Sequence, residues 1–329
     1  MKKKVLVTGA GGFIGSHLVK FLRDKGYWVR GVDIKKPEFS ADHSNEFLLL
    51  DLRNFENALM ATEGVDQVYS LAADMGGMGF ISNNFSLIFH NNMMISTNTL
   101  EASRENGVKK YFYSSTACVY PESKQLTENP SPLKEDDAFP ASPQDSYGWE
   151  KLIHELMCTY YQNDYGIEMR VARFHNIFGP MGTWRGGREK VPAAFCRKVA
   201  IAKLTNNPEI EIWGDGNQTR SFCYIDDCVK GIDLFMESDY NKPLNIGQDR
   251  MVSINDLADI VSSIAGIKIK KKHIDGPQGV RGRNSDNTMV NRVLGWTPQV
   301  SLEDGLLETY NWIEEQVKLY LPQLINEKR

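Results

Sequence analysis

The sequence is short of the residues that mark several common classes of protein. Cys118, Cys158, Cys196, Cys223 and Cys228 form no CxxC pair, and their number is odd. That argues against a disulfide framework or a zinc site and for a reduced, cytoplasmic protein. His17, His43, His90, His154, His175 and His273 are scattered without metal-ligand spacing, so no metal is expected. Basic charge is not in excess: the net charge is -4 over 329 residues. No global basic surface advertises nucleic acid or an anionic membrane. The apolar run behind the N-terminal "MKKK" stops almost at once and reads as neither signal peptide nor membrane span. Internal repeats and low-complexity segments are also missing.

What is present suits an α/β protein. Hydrophobic residues make up 41% of the chain, enough to fill one large domain or two lobes. Val5 to Val7 read as a buried strand, followed by glycines and then by Phe13, Ile14, Leu18, Val19 and Leu22 at helical spacing. Gly26 ends that helix and Trp28 to Val32 form a second strand, a βαβ unit of the kind that builds parallel sheets. "EFLLLDL" (46–52), "QVYSLAA" (67–73), "KKYFYSS" (109–115) and the start of "EMRVARFHNIFGP" (168–180) continue the strands, with a long helix over 86–106. The alternation predicts a Rossmann-type, doubly wound parallel sheet. Past residue 180 the rhythm loosens. Helices are expected over 193–204, 254–266 and 301–321, the last with Ser301 as N-cap, and short strands at "EIEIW" and "IKIKKKHI". The expected division is 1–180 for the sheet domain and 181–329 for a smaller mixed α/β lobe, with a segment near 220–250 able to return to the sheet.

Gly9, Gly12 and Gly15 stand between strand and helix. In a dinucleotide site the first permits a tight turn, the second lets backbone approach the pyrophosphate, and the third allows close helix packing. Asp33 closes the next strand, where a carboxylate can bind the ribose hydroxyls and repel a 2′-phosphate, so NAD is expected over NADP. Arg30, Lys35 and Lys36 nearby weaken that preference. Asp51 is either an adenine contact or a loop cap.

Tyr147 and Lys151 in "DSYGWEK" are four apart and share a helix face. A phenol of ordinary pKa, near ~10, is a poor base at neutrality, and an adjacent ammonium lowers that value. The ionised phenol can take a hydroxyl proton while hydride leaves the same carbon. Thr116, at the end of a strand, can hydrogen-bond the same oxygen. Cys118 stands two residues on, in "SSTACVYP". A lone cysteine there is a small buried hydrophobe or a proton donor.

With these motifs in place, "TGAGGFIGSHL", "YGWEK" and "RFHNIFGP" resemble the extended short-chain dehydrogenases/reductases that epimerise or dehydrate nucleotide sugars. "AADMGGMGFI", "SSTACVYP", "FHNIFGPMGTWRGGREKVPAAFCRK", "WGDGNQTRSF" and "GVRGRNSDN" narrow the resemblance to the GDP-mannose 3,5-epimerases, over nearly the whole chain. That resemblance implies oxidation of the sugar at carbon 4, inversion at carbons 5 and 3, and reduction at carbon 4 again. It places the acid/base groups on Cys118 and Lys190, beside Thr116, Tyr147 and Lys151. It also implies that Phe13, Ile14, Leu52, Leu71 and Ala72 line the NAD site with Gly9, Gly12, Gly15, Asp33 and Asp51. Gly76, Ala117, Asn176, Glu189, Val191, Lys198, Gln218, Thr219, Arg220 and Arg283 are implied substrate contacts, with Thr116, Cys118 and Lys190. A homodimer that binds a GDP-sugar is the implied assembly.

The chemistry agrees with the resemblance. A ketone at carbon 4 acidifies the hydrogens on both neighbouring carbons, and inversion needs a base on one face and an acid on the other. Thiol and ammonium, of ordinary pKa ~8.5 and ~10.4, need tuning to serve near neutrality. On an extended chain Thr116 and Cys118 would face the same way. A 4,6-dehydratase usually carries an acidic pair where Ala117 and Cys118 stand, and a simple 4-epimerase needs no Cys/Lys pair. A non-catalytic NAD sensor is expected to lack Tyr147 or Lys151, and both are present.

Overall fold

A computed structural model describes residues 2–326. Seven strands form one sheet in the spatial order Leu244–Ile246, Glu168–Phe174, Lys110–Thr116, Gln67–Ser70, Lys4–Thr8, Trp28–Asp33, Glu46–Leu49. Every pairing is parallel. Helices cover both faces, so the strands are buried on both sides and read as near-continuous apolar runs. Alternation within one strand shows this: Val5 and Val7 enter one core, Leu6 the other.

The strand order reverses between Lys4–Thr8 and Gln67–Ser70. A crevice opens there, beyond the carboxyl ends of the strands, where such sheets bind dinucleotides. Helix Phe13–Asp24 starts on one side of it, and residues 71–77 leave on the other. Helix Phe85–Glu105 then returns the chain to strand Lys110–Thr116.

Helix Ser146–Tyr165 begins where Asp145 accepts the Gly148 N–H at 2.9 Å and ends at Gly166, left-handed at φ 71°. It packs beside Phe85–Glu105. The first strand after residue 180 to join the main sheet is Leu244–Ile246, at its edge, and helix Ile225–Glu237 covers the sheet beside Phe13–Asp24. Helices Val191–Thr205, Ile254–Ala265 and Leu302–Asn326 pack on one another, the last capped by the Ser301 hydroxyl at the Asp304 N–H. Glu209–Trp213 pairs with Lys270–Ile274, and Thr219–Ser221 lies between Met251–Ser253 and Gly282–Arg283.

One apolar cluster runs from Val5 through Phe112, Phe178, Ile225 and Leu257 to Leu324, so sheet and later helices share a core. Cys158, Cys196, Cys223 and Cys228 are buried, whereas Cys118 is half-buried. Among the described residues no helix is long and apolar enough to cross a membrane.

Candidate active site

The glycine turn closes on itself. Gly9 has φ 69°, and a Cβ on Gly15 would lie 2.0 Å from the Gly9 carbonyl oxygen. The first helical turn, with Gly12 as N-cap and Phe13 and Ile14 half-buried, is thereby seated hard against the strand end. Its leading N–H groups face the crevice as an anion site. Leu71 and Ala72, across the switch point, both donate backbone N–H groups to Thr8 Oγ1 at 3.1 Å. Asp33 accepts from the Gly11 N–H at 3.0 Å, which ties it to the turn, while burial nudges its carboxyl upward.

One expectation for this crevice needs revision. Arg30 is turned away, bound to Glu46 at 2.7 Å and to the carbonyls of Ala61 and Glu63, so it cannot soften the preference set by Asp33. Asp51 accepts from the Arg53 guanidinium at 2.6 Å, which holds its carboxyl low, and its side chain stays 39% exposed. Leu52 sits in the core with Val32 and Val68, so only its backbone is available to a ligand.

The crevice continues into a buried polar group. Thr116 stands close enough to the Tyr147 phenol to favour its ionised form, and Lys151 lies one turn further along the same helix with its ammonium 5.8 Å from the Tyr147 ring and 4.7 Å from the Tyr113 ring. Sequence reasoning had Lys151 lowering the phenol. Here burial pushes the Tyr147 phenol up, with Glu150 adding to it, and burial pushes the Lys151 ammonium down. Glu150, fully buried, is itself raised to about 7 by burial. Its Oε1 accepts from Asn92 Nδ2 at 2.9 Å, and its Oε2 has no partner.

Cys118 reaches this group differently from the expected extended chain. Thr116 Oγ1 accepts the Cys118 N–H at 3.2 Å and closes a 3₁₀ turn over Ala117–Val119. Strand alternation therefore stops at Thr116, and the turn swings Cys118 into the cluster of Met75, Met78, Phe80 and Tyr147. Arg283 Nη1 donates to its sulfur at 3.1 Å, and Arg283 Nε donates to Gln125 Oε1 at 2.5 Å. Lys190 is the N-cap of helix Val191–Thr205. Protein packed around its ammonium pushes it below the ordinary lysine value, with Cys118 pulling the other way. Lys190 is nonetheless an exposed residue, so solvent weakens that push compared with buried Lys151.

The remaining candidates divide. Arg220 and Arg283 are paired neighbours where Thr219–Ser221 meets Gly282–Arg283, with Gln218 and Thr219 at the start of the same strand, whereas Ala117 packs in a separate apolar cluster with Val119 and Leu152. Burial, then the neighbouring Arg283, pushes Arg220 down to about 9, as expected of two guanidiniums side by side without a carboxylate between them. Such a pair suits a diphosphate. Gln218 Oε1 is buried without a partner. Gly76 lies against Phe80, and Asn176, left-handed at φ 46°, donates to the Ser221 carbonyl. Glu189 is committed to Arg197 at 2.6 Å, Lys198 to the Glu211 carbonyl at 2.6 Å, and Val191 is exposed at the helix start. Sequence reasoning passed over Asn92, Glu150 and Gln125. "YGWEK" carried a signal for Glu150, an acid beside the dyad lysine, whereas nothing local marked Gln125.

A switch-point crevice with a glycine turn, leading into a Thr–Tyr–Lys group, defines an enzyme that uses a dinucleotide to act at a hydroxyl-bearing carbon. The chain belongs to the NAD dependent epimerase/dehydratase family, whose model matches residues 5–247. NAD is accordingly its cofactor, and the turn, the helix start and Asp33 fit it. The chain is 55% identical over 319 residues to GDP-mannose 3,5-epimerase 1 of Oryza sativa subsp. japonica, covering 96% of this chain and 83% of that protein. It is 54% identical over 317 residues to GDP-mannose 3,5-epimerase of Arabidopsis thaliana, with the same coverage. Among solved structures, UDP-glucose 4-epimerase of Thermotoga maritima with UDP-glucose superposes with a TM-score of 0.86 at 29% identity, covering 95% of this chain and 99% of that one.

Proposed function

We propose that this chain inverts carbons 5 and 3 of GDP-D-mannose through a transient 4-keto sugar, giving GDP-L-galactose, GDP-L-gulose or both. The observation that carries this reading is the second acid/base pair. Cys118 lies against Tyr147, and the Lys190 ammonium is within electrostatic reach of its sulfur. Oxidation and reduction at carbon 4 need only Thr116, Tyr147 and Lys151, so a thiol and an amine beside them call for proton transfer at neighbouring carbons. The likeness to the rice and Arabidopsis proteins supports the same substrate.

Thr116 and Tyr147 hold the oxygen at carbon 4, and Tyr147 takes its proton. NAD, held by the glycine turn and Asp33, would supply the hydride acceptor and donor for carbon 4, and a cationic ring beside Tyr147 would favour its phenolate. With carbon 4 a ketone, one of Cys118 and Lys190 removes the hydrogen at carbon 5 as a proton and the other delivers a proton to the opposite face. The same exchange at carbon 3 gives the doubly inverted product. Arg220 and Arg283 meet the diphosphate end, and Arg283 also holds the Cys118 sulfur. Two copies are proposed to pair through helices 85–105 and 146–165, whose outer faces expose Phe85, Leu87, Met94, Trp149 and Tyr160. A reducing, cytoplasmic setting suits a mechanism that needs Cys118 as a thiol.

Turnover of GDP-mannose in D2O tests the reading. Solvent deuterium is expected on carbon 5, and on carbon 3 of doubly inverted product, with the original hydrogen kept at carbon 4 and no accumulation of free NADH. A product changed only at carbon 4 would make the chain a 4-epimerase, and stoichiometric NADH a dehydrogenase.

A further inference from the structure

Asp74 is used by nothing described so far, yet it joins the two halves of the chemistry. Its Oδ1 accepts from Arg188 Nη1 at 2.8 Å, and its Oδ2 accepts from Asn91 Nδ2 at 3.0 Å. Asn92, the next residue, accepts the Asp74 N–H at 2.6 Å and donates to the Asp74 carbonyl at 3.2 Å. The same Asn92 side chain donates to Glu150, the residue before Lys151. On the other side, Arg188 is two residues before Lys190. Its guanidinium lies 3.8 Å from the centre of the Phe80 ring, and its carbonyl accepts the Gly77 N–H at 3.1 Å. A Cβ on Gly77 would stand 2.6 Å from the Glu189 carbonyl oxygen, so the two segments touch backbone to backbone.

We infer that Asp74 and Arg188 are positioning residues that hold Lys190 at a fixed place relative to the Tyr147–Lys151 pair. The inference rests on the epimerase reading above. Lys190 stands at a helix start on the later lobe, and the hydride-transfer group stands on the helix beside strand Lys110–Thr116. Nothing covalent near either one sets their separation. Proton transfer requires the ammonium within hydrogen-bond reach of one sugar carbon while carbon 4 faces the nicotinamide, and an error of about 1 Å can cost about 10²-fold. The Arg188 side chain is 47% exposed and that of Asp74 19%. An ion pair so placed adds little to stability. Its bonds to the chain segments flanking both sites are what it contributes.

The test is Arg188→Gln in the full chain, read by isotope. Deuterium uptake at carbons 5 and 3 is expected to fall about 10–100-fold, with NAD binding and melting temperature unchanged. The kinetic isotope effect of deuterium placed at carbon 5 should rise and that at carbon 4 should shrink, because proton removal alone has slowed. Arg188→Lys, which keeps a charge for Asp74, should recover part of the loss, and Asp74→Asn should show the same selective defect. Uptake within about twofold of native in both variants would return the pair to an ordinary surface contact. Equal slowing of hydride and proton steps would also overturn the inference, since it would signal a merely structural role. Native protein that takes up no deuterium from GDP-mannose would instead defeat the epimerase reading itself.

Discussion

Cys118 owes its place to three side chains rather than to strand geometry. The Thr116 hydroxyl bends the backbone, Arg283 meets the sulfur, and Tyr147 packs alongside. Cys118→Ala removes little volume, so its cost as packing is a modest loss of stability. Its cost as an acid/base is about 10²–10⁴ in epimerisation rate. The expected outcome is a folded protein that binds GDP-mannose and retains hydride chemistry at carbon 4 but hardly takes up deuterium at carbon 5. Near-native uptake with only a lower melting temperature would return Cys118 to a packing role.

Among the elements, the first βα turn tolerates the least change. The added methyl of Gly15→Ala would meet the Gly9 carbonyl, which is backbone and cannot rotate aside. The helix must therefore lift away from the strand, at about 1–3 kcal/mol of overpacking, taking its N–H groups from the pyrophosphate. NAD affinity, followed by fluorescence titration, should fall by about tenfold or more, a cost of ~1.4 kcal/mol. Unchanged affinity would show that the turn relaxes freely. The neighbouring elements are braced more deeply: Arg173 on strand Glu168–Phe174 and Glu155 on helix Ser146–Tyr165 form a wholly buried ion pair at 2.7 Å beneath the site. Breaking such a pair leaves an unpaired buried charge, the costly half of the exchange.

The molecule as a whole carries buried titratable groups of opposite effect. Burial pushes His154 and His175 down to about 3, so both are neutral when folded and protonate in the unfolded chain below its ordinary value of ~6.5. Their contribution to stability is complete above that value and is lost as pH falls toward 3. Glu150, raised to about 7, works in the other direction: between pH 7 and the unfolded value of ~4.3 the folded state holds a proton that the unfolded chain lacks, and stability is gained as pH falls through that window. From these three groups, between about pH 6.5 and 4.5 the unfolded chain gains two protons against one, a fall of ~1.4 kcal/mol per pH unit, and His17, also pushed down by burial, adds to the fall. Urea unfolding at pH 7 and pH 5 checks this, and Glu150→Gln should steepen the slope toward twice that value. A flat profile in the native protein would mean the histidines are not held neutral.

The sequence by itself determined what depends on neighbours a few residues apart. The βαβ start, the glycine turn, Asp33 at its strand end and the Tyr147–Lys151 face follow from spacing, because a helix or strand repeats over short distances whatever surrounds it. Local spacing failed where a side chain redirected the backbone, as Thr116 does before Cys118, and where burial outweighed a nearby charge, as at Tyr147. Pairings across the chain were decided only in three dimensions. Arg283 meets Cys118 across 165 residues and Arg188 meets Asp74 across 114. No local pattern reports such contacts, since packing of the later segments on the sheet edge and cleft brings the partners together, and each arginine alone reads as an ordinary surface charge.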